Sequence, residues 1–168
     1  MARPGKTVSE TAVTDHTYKV FPNDLNSHGT VFGGMVMAQA DRVANVVAER
    51  HSERLCVTAS VDSMHFLAPA RRGETLVFKA SVNRAWRSSM EVGVKVVSEN
   101  YRTGTRVHIL SAYFTFVAVD DEHQPCECAP IIPQTPLEKR RFEEAGERRR
   151  RRQEETAERK TRHERDPL

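Results

Sequence analysis

The sequence predicts an α+β fold in which an antiparallel sheet of about five strands wraps around one long central helix. Three patterns carry that reading. Met35 to Arg50 places Val36, Met37, Ala40, Val43, Ala44, Val47 and Ala48 at the three-and-four spacing of a helix with one buried face. Four strand-like runs, rich in Val, Thr and aromatics, then follow one another directly. The breaks between them, at Pro69 to Gly73, Arg87 to Ser89 and Thr103-Gly104, are short enough to join antiparallel neighbours.

Taken in order, residues 1–15 are polar and rich in Thr and Ser, without periodicity, and read as a flexible, loosely held arm. From His16 to Phe21 the alternation of Tyr18 and Val20 with polar neighbours predicts a short strand, ended by the turn signal Pro22-Asn23-Asp24. A glycine-bearing loop, Leu25 to Gly34, leads into the helix. The four later strands are Leu55 to Leu67, Thr75 to Trp86, Met90 to Glu99 and Arg106 to Val119. Val92, Val94 and Val96 alternate with Glu91, Gly93 and Lys95, which predicts a half-exposed strand; Tyr113 to Val119 is apolar almost throughout and predicts a more buried one. Residues 16–137 thus form one domain. From Glu138 the chain is rich in Glu and Arg without an apolar stripe, so residues 138–168 are expected to be a charged tail, helical or disordered, that does not pack deeply on the body.

A chain of 168 residues suits one domain, which buries roughly two-thirds of its unfolded surface. The net charge of +3 sits entirely in the tail: 14 Lys and Arg balance 14 Asp and Glu up to Leu137, against 12 and 9 beyond it. A neutral body lacks the broad basic footprint of nucleic-acid binding, and glutamates flank the Arg148 to Arg152 run on both sides, so no nucleic-acid partner is expected. No apolar run approaches the roughly 20 residues that cross a bilayer, and no basic start precedes one, so a cytoplasmic protein without membrane insertion is expected. Three cysteines are an odd number, and Cys56 lies in an apolar run suited to a buried free thiol. Cys126 and Cys128 lack a second Cys/His pair, so no metal site and no cofactor are expected.

Asp41 is the residue that stands out chemically. At about 100° per residue it stands only about 40° from Met37 and about 60° from Ala44, at the border of the apolar face. A carboxylate there must find a partner or shift its pKa upward, as catalytic bases do; an aspartate that tips outward onto a strand edge fits the spacing equally. The loop Asn26-Ser27-His28-Gly29-Thr30-Val31-Phe32-Gly33-Gly34 delivers the free N–H groups of the helix start, donors suited to a developing oxyanion. A phosphate would fit such donors too, but the Lys and Ser/Thr of a P-loop are missing.

The stretch Pro22 to Asp41, with Asn26, Gly29, Phe32-Gly33-Gly34 and Asp41, resembles the signature of the bacterial YciA-like and mammalian brain-type acyl-CoA thioesterases. The likeness continues through Val57-Thr58-Ala59-Ser60-Val61-Asp62, the Arg87-Ser88-Ser89 turn, Phe114 to Asp120 and Glu138 to Glu144. This resemblance implies a hotdog fold, pairing into homodimers commonly assembled as three dimers, with active sites at the dimer seam. It implies hydrolysis of acyl-CoA, with Asp41 as general base or nucleophile and Asn26 of the partner chain orienting water or carbonyl. Backbone N–H groups near Gly33 and Gly34 would hold the oxyanion. It further implies that pantetheine enters along Val57 to Met64, which makes Val57, Thr58 and Ser60 candidate substrate contacts. Arg87, Ser88 and Ser89 are candidates for the nucleotide end of coenzyme A, although a plain hairpin turn accounts for them equally. Two rivals share the fold: an acyl-CoA binding module that does not hydrolyse, and a hydratase, which would need an Asp/His pair such as His28 could supply.

Overall fold

The computed structural model describes the backbone of residues 3–165 and the side chains of residues 3–158. Among them the elements run β1 (Lys6–Thr7), α1 (Val8–Thr11), β2 (Val13–Lys19), a single 3-10 turn (Pro22–Asp24), α2 (Gly33–Ser52), β3 (Leu55–Phe66), β4 (Thr75–Ala85), β5 (Ser89–Glu99), β6 (Arg106–Val119), β7 (Ile131–Ile132) and α3 (Pro136–Arg165). Five strands form one antiparallel sheet in the order β2-β4-β5-β6-β3. Its inner face wraps α2. Val36, Ala40, Ala44 and Val47 pack there against Phe78, Val82, Met90, Phe114 and Phe116, and the alanines let the strands come close to the helix axis. This is the hotdog arrangement, with the helix two residues longer at each end than its apolar periodicity indicates.

The N-terminal segment is not a loose arm. Lys6 and Thr7 pair in parallel with Ile131 and Ile132, Val8 and Thr11 are buried, and the first strand of the main sheet begins at Val13 rather than His16. A single apolar anchor, Val8, and the Lys6 ammonium on Glu53 and the Arg50 carbonyl hold the segment, and a mean polarity taken over 1–15 hides both. Met1 and Ala2 lie outside the described residues.

The charged tail also departs from expectation. α3 lies across the outer face of the sheet, opposite α2, and Ala145 on it is fully buried. Arg148 makes two bonds to Glu91, Nε to Oε2 at 3.0 Å and Nη2 to Oε1 at 2.7 Å, with its guanidinium 3.8 Å above the Tyr113 ring. Arg152 donates to Asp62 and, at 2.8 Å, to Thr115 Oγ1. Arg149 lies over Trp86 at 4.4 Å, and Arg84 over Phe142 at 4.1 Å. A search for an apolar stripe misses such a helix, because its contact face is made of arginine stems and planar cations on aromatic rings. Glu91, expected on a half-exposed face, is 1% exposed for the same reason. Residues 166–168 of the tail lie outside the described residues.

Of the two sheet edges, β3 is the longer and barer. Leu55, Val57 and Val61 on it remain 59%, 51% and 46% exposed, so none of the described residues of a single chain covers them. The strand also bulges twice against β6. Thr58 opposes Phe116 and Ser60 opposes Thr115, leaving Ala59 as an extra residue; Val61 opposes Phe114 and Ser63 opposes Tyr113, leaving Asp62 as another.

Candidate active site

The loop before α2 is held at both ends by the backbone. Phe32 N–H donates to the Asp24 carbonyl at 2.7 Å, and Val31 N–H to that of Ala70 at 2.9 Å. Between them Gly29, at φ 75°, closes a turn with its N–H on the Asn26 carbonyl at 3.0 Å. The Asn26 side chain is locked into this turn: Oδ1 accepts the His28 N–H at 2.9 Å, and Nδ2 donates to Thr30 Oγ1 at 3.0 Å. Asn26 is therefore a half-buried amide of fixed orientation, and its backbone neighbours set that orientation.

α2 starts without a side-chain cap, at Phe32. The first backbone donors that find a partner are Met35 and Val36, both on the Phe32 carbonyl. No carbonyl of the described chain accepts the Gly33 or Gly34 N–H, so these amides and the helix dipole are available to an anion. Glycine suits this start through space and not φ: a Cβ on Gly34 would fall 2.5 Å from the Phe32 ring, which would have to turn aside, and one on Gly33 would fall 3.3 Å from the Phe66 ring. Beside Gly33 opens an apolar cavity of about 370 Å³, lined by Val31, Val36, Phe66, Leu67, Ala70 and Ile109 among others.

Asp41 lies half-buried in the middle of α2, and Thr58 Oγ1 donates to its Oδ1 at 2.8 Å. The bulge at Ala59 makes that bond possible. Strict alternation would set Thr58 and Ser60 on one face of the sheet, whereas the extra residue turns Thr58 inward with Phe116 and Ser60 outward with Thr115. Thr58 thus joins Asp41, a partnership the sequence did not reveal. Val57 and Ser60 do not line the same surface as Thr58: Val57 faces outward with Val117, and Ser60 Oγ donates to Asp62 at 3.2 Å.

The candidates fall into two groups on one chain. Asn26, Gly33 and Gly34 sit at the start of α2; Asp41 and Thr58 sit eight residues further along, about 12 Å down the helix axis at 1.5 Å per residue. Asn26 makes no hydrogen bond to Asp41. Arg87, Ser88 and Ser89 form a third group at the mouth of the β4–β5 turn, where Trp86 N–H donates to the Ser89 carbonyl at 2.7 Å. Ser89 is joined through Val117 to Val57, two ladder steps or about 10 Å away. Arg87 is exposed, the Ser88 carbonyl is taken by Ala118 N–H, and Ser89 Oγ accepts from Arg149.

Other nucleophiles are weak. Burial pushes the Cys56 thiol up to about 11 and the Cys128 thiol to about 12, so neither offers a thiolate near neutral pH. The His28 ring is exposed and, among the described residues of its own chain, bonds to no carboxylate.

Comparison with known proteins agrees with the fold. Residues 28–105 match the model of the thioesterase superfamily. The chain is 40% identical over 119 residues to the uncharacterized acyl-CoA thioester hydrolase YkhA of Bacillus subtilis, covering 71% of this chain and 69% of that one. An acyl-CoA hydrolase of Staphylococcus aureus, solved with butyryl-coenzyme A, coenzyme A and coenzyme A disulfide, superposes with a TM-score of 0.88 at 37% identity, over 96% of this chain and 98% of that one. An apo-hexameric acyl-CoA thioesterase superposes with a TM-score of 0.89 at 37% identity, over 92% and 99% of the two chains. The Staphylococcus hydrolase has also been solved with alanine at one aspartate, one asparagine and one threonine, spaced along its chain as Asp41, Asn26 and Thr58 are here. On identity, coverage and fold together, the chain belongs to the acyl-CoA thioester hydrolases of the thioesterase superfamily.

Proposed function

We propose that this protein hydrolyses acyl-CoA to a free acid and coenzyme A, at sites each assembled from two copies of the chain. The observation that carries the split is the roughly 12 Å of α2 between Asp41 and the Gly33 amide of its own chain, because one thioester carbon must lie about 3 Å from both nucleophile and oxyanion donors. A second copy whose helix runs the opposite way brings its Asn26 loop and its Gly33-Gly34 amides to the first copy's Asp41. The bare edge of β3 is the surface through which two sheets would join. Hexamers among the relatives support three such dimers in the assembly.

In each site Asp41, steadied by Thr58, takes a proton from water as the water oxygen adds to the thioester carbon, or adds to that carbon itself. The carbonyl oxygen gathers charge and accepts from the partner's helix-start amides, Gly34 foremost, while the Asn26 amide orients water or carbonyl. The C–S bond then breaks, and the thiolate of coenzyme A leaves and takes up a proton; on the second route water then opens the acyl–Asp41 anhydride at the Asp41 carbonyl carbon, releasing the acid and restoring the carboxylate. The apolar cavity beside Gly33 suits the acyl chain, and the exposed guanidinium of Arg87 suits a phosphate of the nucleotide. Labelled water in a single turnover separates the two routes: label in the acid marks direct attack by water, and label in the Asp41 carboxylate marks a covalent intermediate. Three unpaired thiols fit the reducing cytoplasm expected from the sequence.

The test is release of free thiol from acyl-CoA of increasing chain length by the purified protein. The chemistry draws on a carboxylate, an amide and backbone donors only, so a chelator is expected to leave the rate unchanged. Tight binding of acyl-CoA without thiol release would instead identify a binding module.

A further inference from the structure

The two arginine anchors of α3 share a feature that points to more than adhesion: one ends beside a bulge and the other on one. Arg148 grips Glu91 together with Asn83, whose Nδ2 donates to Glu91 Oε1 at 2.9 Å, and Asn83 is the extra residue where β4 bulges against β5. Arg152 grips Asp62, the extra residue of the second bulge of β3. On the Asp62 carboxylate three donors converge from the outer side of the sheet: Arg152, Thr115 Oγ1 at 3.3 Å and Ser60 Oγ at 3.2 Å. Thr115 is itself the ladder partner of both Ser60 and Glu91, so the two anchors meet on one line across the sheet.

We propose that α3 is a positioning strap for the catalytic aspartate: by holding Asp62 outward, Arg152 fixes the phase of β3 that turns Thr58 inward to Asp41. This rests on the reading of Asp41 as the group that acts on the thioester. Register in a strand is ordinarily pinned by burial of one face, because a one-residue slip sends every side chain to the other side. β3 is only partly pinned in that way: of its inward residues Cys56 and Met64 pack on the core at the two ends, while between them Thr58 is exposed and Val61 remains 46% exposed. Its inner and outer residues exchange at Ala59, between Thr58, which donates to Asp41, and Ser60, which donates to Asp62. A strand held on its outer side at Ser60 and Asp62 cannot slide the bulge along, so Thr58 keeps its inward phase. Released from Arg152, Asp62 faces its two hydroxyl donors alone, and slippage past Ala59 would take Thr58 away from the carboxylate. The carboxy-terminal helix thereby reaches the chemistry through a strand, without touching substrate.

The experiment uses the full chain and three substitutions. Arg152→Met keeps the stem and removes the charge. It is expected to lower kcat roughly 10- to 100-fold, the cost of misplacing a reacting group by about an ångström, with KM for acyl-CoA changed less than about twofold. Arg152→Lys should restore part of the loss, and Asp62→Asn, which leaves Arg152 in place, should lower kcat in the same sense if Arg152→Met folds poorly. In a Thr58→Val background the Arg152→Met loss should shrink to about twofold or less, because both substitutions remove the same contact to Asp41. Amide exchange should quicken over 57–63 but not over β4 and β5. Wild-type kcat in both Arg152→Met and Asp62→Asn, wild-type kcat in Thr58→Val, or losses that multiply in full would each overturn the strap. An inactive Asp41→Ala beside an unimpaired Arg152→Met rejects the strap alone, whereas an active Asp41→Ala rejects the role of Asp41 on which the strap rests.

Discussion

Asp41→Ala is expected to lower kcat for acyl-CoA hydrolysis by about 10² to 10⁴, the range for a positioned base or nucleophile. The fold should survive. Asp41 is half-buried and its one side-chain hydrogen bond is to Thr58, a hydroxyl exposed enough to turn to water when the carboxylate goes. Coenzyme A should bind nearly as before, since the cavity beside Gly33 and the cation at Arg87 are untouched. Steady-state kinetics beside a thermal melt and a coenzyme A titration separate these effects. A variant that melts as wild type, binds coenzyme A and still turns over within tenfold of wild type contradicts the role given to Asp41.

Truncation after Gly146 is the second large effect, and it falls on stability. It deletes Arg148, Arg149 and Arg152 together, leaving Glu91, 1% exposed in the full chain, with only Asn83 as a partner and Asp62 with only two hydroxyls. Removing one member of a buried ion pair costs up to about 3–5 kcal/mol, less to the extent that water reaches the uncovered carboxylate. For a chain of this size that corresponds to a melting temperature lower by roughly 6–20 °C, and insolubility on expression is an expected form of the same loss. A truncated chain that melts within a few degrees of the full one would mean that the arginine anchors contribute little.

The expectation for that tail shows where the sequence was readable and where it was not. The long helix and the sheet were legible because both declare themselves by period: alanines and valines at three-and-four spacing on α2, and Val92, Val94 and Val96 at spacing two on β5. α3 has no such period, and its partners Glu91 and Asp62 are far away in the chain, so nothing local marks Arg148 and Arg152 as buried cations. The helix start was legible through its glycines, although the structure gives them a different reason: the Phe32 and Phe66 rings crowd Gly34 and Gly33, and only Gly29 needs a positive φ. Thr58 was a candidate through the resemblance, but its contact to Asp41 was illegible. Its bond to Asp41 depends on a bulge at Ala59, and alternation read from the sequence carries the opposite face. Likewise the border position of Asp41 on α2 could be read from angles along one helix, but not the strand hydroxyl that meets it.

The claim at the centre is that each site takes Asp41 from one chain and Asn26 from another, and mixing two inactive variants tests it most directly. Asn26→Ala is expected to cost about 10²-fold by the loss of one oriented amide. Asp41→Ala and Asn26→Ala, each nearly inactive alone, are combined under conditions of subunit exchange verified by mass spectrometry. At equal mixing half the dimers are mixed, and each holds one site with both side chains and one with neither, so up to about a quarter of wild-type activity should return. Verified exchange with no recovery would contradict the shared site and assign Asn26 to the Asp41 of its own chain.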